Sequence, residues 1–120
     1  MLALLSLYAL AALFVAAGIA HFVKPDLFVR IVPPYLPAPR FLVYASGIAE
    51  IAGGVGVLIP GVQTYAAWML IAMLAAFLPV HTYMARDPDG QFHELPGWLL
   101  WLRIPFQFVI MAWVYFAVLA

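Results

Sequence analysis

The chain alternates long apolar runs with short polar breaks. Leu2 to Val23 carries no charged side chain, and Phe41 to Ile59 carries only Glu50. Tyr65 to Ala85 is broken by little more than Pro79, His81 and Thr82, and Trp98 to Ala120 holds Arg103, Pro105 and Gln107. A helix needs about 20 residues, at 1.5 Å rise each, to cross a bilayer, and each run has that length. The pattern predicts an all-α fold, an integral membrane four-helix bundle forming a single domain over residues 1–120, with helices at 2–23, 41–59, 65–85 and 98–120.

Small residues refine the helices. Gly18, Ile19 and Ala20 loosely match a signal-peptide cleavage site, but the apolar run is too long for a signal core and no Lys or Arg precedes it, so it reads as a span. Ala12, Ala16 and Ala20 recur every fourth residue and predict a side that approaches another helix closely. In the second run, Ala45, Ala49 and Gly53 form one small-residue row, and Ser46, Glu50 and Gly54 form the next. Such a helix is expected to pack inside the bundle, with Glu50 turned toward protein. Pro60-Gly61 stops it in a tight turn, and Pro79 predicts a kink near the end of the third helix.

The breaks also carry information. Lys24 to Arg40 reads KPDLFVRIVPPYLPAPR. Pro25 can open a short helix, which would place Leu27, Phe28, Ile31 and Val32 on one face and Asp26 and Arg30 on another, as in a helical turn lying in the membrane interface. Pro33, Pro34, Pro37 and Pro39 end and stiffen it. This proline-rich first loop is predicted to form an interfacial cap over the bundle end. Arg86 to Gly97, RDPDGQFHELPG, reads as a polar loop with turns at Asp87-Pro88 and Asp89-Gly90, and His93 within it is expected to be solvated.

Composition removes the soluble alternative. The 120 residues are 68% hydrophobic and 8% charged, whereas a soluble domain is about 45–50% apolar and about 25% charged. Zero formal net charge offers no footprint for nucleic acid. The absence of cysteine excludes thiolate catalysis, disulfide exchange, zinc-thiolate sites and cysteine-bound iron–sulfur clusters. Lys24, Arg30, Arg40 and Arg86 all lie in the first and third loops, and no Lys or Arg lies on the side of the termini and the 60–64 turn. The positive-inside rule therefore predicts a multi-pass cell-membrane protein with loops 24–40 and 86–97 cytoplasmic and both termini outside. Trp98 and Trp101 would mark one interface, and Tyr65, Trp68, Trp113 and Tyr115 the other.

Candidate chemistry collects in one half of the membrane. A carboxylate at the depth of Glu50 costs about 2.5–3.5 kcal/mol on insertion scales, so it needs a partner, a proton or a ligand. Counted from the first-loop side, His21 and His81 lie within roughly 3–6 Å of the edge, Arg103 at about 8 Å, and Glu50 and Gln107 at about 13 Å. These five residues, His21, Glu50, His81, Arg103 and Gln107, are the candidate polar or ligand-binding pocket. Arg103 and Gln107 share a helix face, and the long guanidinium stem can reach Glu50, so an internal Glu50–Arg103 ion pair is expected. Such a pair would either lock helix two to helix four or handle a proton or ligand. The two histidines are expected to be hydrogen-bonded near the interface. A haem between them, or a metal on His21, His81 and Glu50, has no supporting ligand motif. No catalytic set is legible.

Several short motifs, in order, resemble the DoxX-like family: His21-Phe22 before Lys24-Pro25; Pro33-Pro34 with Leu36-Pro37; Ser46-Gly47 with Glu50 and Gly54; Phe77, Pro79, Tyr83 and Met84; and Arg103, Pro105 and Gln107 after Trp98. The resemblance implies a small four-helix integral membrane protein. It points to association with quinol-oxidising or thiosulfate–quinone chemistry, with oxidative-stress complexes, or with assembly of other membrane proteins. That family often carries Asn where this chain has His81, and a basic residue where Gln63 and Thr64 stand. Three readings of function follow as expectations. The chain is an accessory subunit of a redox or quinone-linked system, with quinone or lipid as ligand, a membrane redox protein as partner and a homo-oligomer as a further option. Alternatively it handles a small solute or protons, or is an assembly scaffold with a structural polar core.

Overall fold

The computed structural model describes residues 2–32, 35–86 and 96–120. Every element among them is helical: α1 (Leu2–Val23), α2 (Pro25–Ile31), α3 (Pro39–Gly56), α4 (Gln63–Ala76), α5 (Leu78–Arg86) and α6 (Gly97–Val114), the last running into a π-helical turn over Tyr115–Leu119. Among the described residues, three helical stretches are long and apolar enough to cross a membrane: Leu2–Val23, the α4–α5 rod Gln63–Arg86, and Gly97–Leu119. α3, with its glycines, Ser46, Glu50 and Arg40, is less apolar and does not join them. The loop expected over 86–97, with its two turns and His93, lies largely outside the described residues.

Much of the outer surface is apolar, and several polar groups are held in the interior. Leu13, Ile19, Ile48, Phe106, Phe108, Val109 and Phe116 are all exposed, while His21 and Glu50 are 6% exposed and Gln107 is 0% exposed. A water-soluble fold distributes these residues the other way round.

α1 and α3 form the closest helix pair. A Cβ placed on Gly18 would lie 2.6 Å from the Gly47 carbonyl oxygen, and one on Gly54 would lie 3.0 Å from the Ala11 carbonyl oxygen. The backbones approach because the facing positions are glycine or alanine. The seam on α1 is Ala11, Phe14, Gly18 and His21, all buried. The predicted alanine row is not the seam: Ala12 and Ala16 are exposed and Ala20 is only partly covered. Spacing of three and four together keeps residues on one side of a helix of 3.6 residues per turn, whereas spacing of four alone drifts around it.

The remaining boundaries differ from the sequence reading for local reasons. The second helix begins at Pro39 rather than 41, because proline at a first helical position sacrifices no bonded N–H. It ends at Gly56 rather than 59, passing into turns that include Leu58 N–H to Val55 C=O at 3.0 Å. The third predicted helix starts at Gln63 and is two helices, parted at Phe77. Pro79 has no N–H to offer the carbonyl four residues back, so the ladder loosens just before it. There the Phe77 N–H is shared between Met73 and Leu74 carbonyls at 3.0 and 3.2 Å. The fourth helix is α-helical only to Val114, and Ala120 N–H then reaches back five residues to Tyr115 C=O at 3.0 Å.

The core beneath the terminal side is Leu10, Phe14, Val57, Ala67, Leu70, Leu74, Ile110 and Val114. Trp113 Nε1 donates to Ser6 Oγ at 2.8 Å and ties α6 to α1. At the other end α2 packs across α3 and α1, as expected of a cap. Arg40 donates to Asp26 at 2.5 Å and to the Tyr44 hydroxyl at 3.4 Å, clipping α2 to the start of α3. Bonding to Tyr44 and Asp26 raises the Arg40 guanidinium above its ordinary value, so the clip keeps its cation.

Candidate functional site

Beneath the cap lies a partly open cavity of about 550 Å³, within the usual range for small-molecule sites. Its walls are mostly apolar, with Phe28 and Val32 from the cap and Met73, Phe77 and Val80 from the α4–α5 rod. Its polar lining is His21, Ser46, Glu50, His81 and Arg103. Four of the five sequence-predicted residues thus face one space. Gln107 does not line it, and instead lies behind Arg103 with no solvent exposure.

Each polar group is placed by a local cause. His21 ends the α1 seam, and its Nδ1 donates to the Ala17 carbonyl one turn back at 2.6 Å. Its ring stacks on Phe28 of the cap, with centroids 3.9 Å apart. Glu50 faces α1 because the small residues around it let the helices close. Its Oε2 lies 3.2 Å from His21 Nδ1. It is nevertheless without a hydrogen bond, because the Nδ1 proton is directed at Ala17. The contact is therefore an electrostatic one, made beside a donor already committed.

Arg103 and Glu50 form no ion pair, contrary to expectation. Arg103 donates to Gln107 Oε1 at 2.8 Å and covers the face of Phe106, 5.3 Å from its centroid. The helical spacing of four that put Arg103 and Gln107 on one face also offers Arg103 an acceptor nearer than α3. Gln107 in turn donates through Nε2 to the Leu74 carbonyl at 2.8 Å. That carbonyl sits at the break before Phe77, so a side chain from α6 adds a second donor to a carbonyl that otherwise takes only the shared Phe77 N–H. His81 follows the break, against Arg103 and Gln107, and its Nδ1 is buried without a partner.

Sequence reasoning missed Phe28 as the ring stacked on His21, and the Leu74 carbonyl as the partner of Gln107. The first was visible as an apolar position on the predicted cap face. The second had no signal, since a backbone acceptor is the same at every residue. Among the described residues no group of three or more His, Asp or Glu side chains converges as metal ligands.

Comparison with known families adds one match. The profile of a domain of unknown function, DUF8561, covers residues 10–118. The chain belongs to this family. The match takes in every cavity-lining side chain named above, so the site is part of the family's domain rather than an appendage to it. No curated protein and no solved structure matches the chain.

Proposed function

We propose that the protein is an integral membrane four-helix bundle that binds a small amphipathic ligand and serves as an accessory subunit of a redox or quinone-linked membrane system. In this reading α3 is the fourth membrane element, shielded by α1 and α4 where its Glu50 and glycines would be costly against lipid. The observation that carries the binding role is the cavity itself. It is large, apolar along most of its wall and polar at a few converging points, which matches a ligand with a polar head and an apolar body. The association with redox or quinone systems rests on the ordered motifs that resemble the DoxX-like family. The ligand class is a quinone or another lipid.

The test is purification in lipid nanodiscs followed by mass spectrometry of what is retained. Expected is a quinone-type or other non-bulk lipid at a fixed ratio to protein, together with a membrane redox protein. Recovery of bulk phospholipid alone, with no partner, would remove this reading.

Placing loops 24–40 and 86–97 in the cytoplasm and both termini outside completes the proposal, on the strength of Lys24, Arg30, Arg40 and Arg86.

A further inference from the structure

A second cavity, of about 500 Å³, flanks α5 and shares no lining residue with the chamber beneath the cap. Leu78, Pro79, Thr82, Tyr83 and Arg86 line it from α5, and Tyr35 lines it from the chain just beyond α2. At 3.6 residues per turn the five α5 residues fall on one side of the helix, and the chamber-lining Val80 and His81 fall on the other.

This groove is graded from polar to apolar. Arg86 stands in the last turn of α5, and Leu78 and Pro79 stand in the first. Eight residues at 1.5 Å rise put about 12 Å between the two levels. With the α4–α5 rod across a bilayer, Arg86 lies at the level of the lipid phosphates and Leu78 among the acyl chains. The phosphate level offers donors. Arg86 is exposed, and its planar fork matches phosphate oxygens. Tyr35, also exposed, adds a phenolic O–H. The Thr82 hydroxyl proton is already given to the Leu78 carbonyl at 2.9 Å. Among the described residues no Asp or Glu lines the groove.

A guanidinium and a phenol at one end of an apolar cleft suit an anion carried on an apolar tail. A headgroup with its own ammonium would bring a second cation toward Arg86. We propose that the groove holds an anionic phospholipid, with its phosphate on Arg86 and Tyr35 and an acyl chain along Leu78 and Pro79. The proposal requires the protein to lie in a bilayer and does not depend on what fills the chamber. On the proposed topology the groove faces the cytoplasmic leaflet, where anionic lipids are enriched.

The test is native mass spectrometry of protein released from nanodiscs made of dioleoylphosphatidylglycerol and dioleoylphosphatidylcholine in equal amounts. Phosphatidylglycerol is expected to be retained about fivefold over phosphatidylcholine, the scale of one cation at the membrane surface. Arg86→Gln should abolish that preference by removing the charge, and Thr82→Trp should abolish it by filling the groove with the charge unchanged. Lys24→Gln should keep it, because Lys24 is an exposed cation of the first loop that does not line the groove. Thermal unfolding checks that each variant is folded. Equal retention of the two lipids by the unaltered protein would overturn the proposal. So would an equal loss in Lys24→Gln and Arg86→Gln, the mark of diffuse attraction, or a preference that survives in folded Thr82→Trp. Displacement of the lipid by excess inorganic phosphate would assign the donors to a free anion and overturn the lipid site. Each of these failures would leave the reading of the chamber standing.

Discussion

At the scale of single residues, Gln107 is the side chain whose loss should be felt most widely. It is fully buried, accepts from Arg103 and donates to the Leu74 carbonyl, so Gln107→Leu orphans a guanidinium N–H and weakens a backbone acceptor together. Each unsatisfied buried group costs about 1–3 kcal/mol. A loss of about 2–4 kcal/mol is expected in reversible denaturant unfolding in micelles, larger than for Arg103→Met, which removes the donor but leaves Leu74 satisfied. Equal losses would show that the Leu74 bond contributes nothing. Residue identity and helical spacing brought forward His21, Glu50, His81 and Arg103, which line one cavity, and Gln107, which lies behind Arg103. They were not enough to pair them. Glu50 and Arg103 were matched by opposite charge and depth, whereas the fold gives Arg103 a nearer neutral acceptor and sets Glu50 beside a histidine. Depth is one coordinate, and pairing needs rotation about each helix as well.

Among the elements, the α1–α3 seam makes the sharpest demand on sequence. Gly18→Ala would drive a Cβ to 2.6 Å from a backbone oxygen, a contact no rotamer can relieve. Overpacking of this sort costs about 1–3 kcal/mol. Ala16→Leu, two residues away and exposed, should change stability by less than about 0.5 kcal/mol. Measuring both variants side by side tests which face of α1 is the packed one; the reverse ranking would restore the alanine row. The helices themselves were legible because apolar length is written directly in composition, and α1 has the predicted bounds. The seam was not, because glycine and alanine are small on either side of a helix and only the partner decides which of them are used. The break at Phe77 was foreshadowed by Pro79 as a kink near the helix end. That it divides one helix into two was not legible, and neither was the Gln107 side chain from α6 that donates to Leu74 beside the break.

The cap shows the same logic at a weaker contact. Asp26 and Arg40 are joined in the open, with side chains 88% and 55% exposed, where an ion pair is screened and adds little to global stability. Asp26→Asn is therefore expected to leave the unfolding temperature unchanged while amide hydrogen exchange over 25–31 quickens. Unaltered exchange would mean that the packing of α2, the His21–Phe28 stack included, holds it in place without the ion pair.

For the molecule as a whole, the distribution of side chains is inside out relative to a soluble protein, and orientation in the membrane is the property to check. The natural absence of cysteine makes single-cysteine labelling clean. With a membrane-impermeant maleimide on intact cells, Thr64→Cys should react at once, while Tyr35→Cys should react only after permeabilisation. The opposite pattern would invert the proposed topology. Neither a ligand nor a partner is legible at this scale, since apolar walls accept many tails and an exposed apolar surface looks the same whether a bilayer or another protein covers it.

The discontinuity at Phe77 turns α5 into a short lever. One wall of the chamber, where α1 and α3 meet backbone to backbone, is a fixed post. The opposite wall carries His81 one helical turn beyond a joint. A tilt of about 10° there would move that imidazole by roughly 1 Å, enough to reshape that wall without disturbing the post.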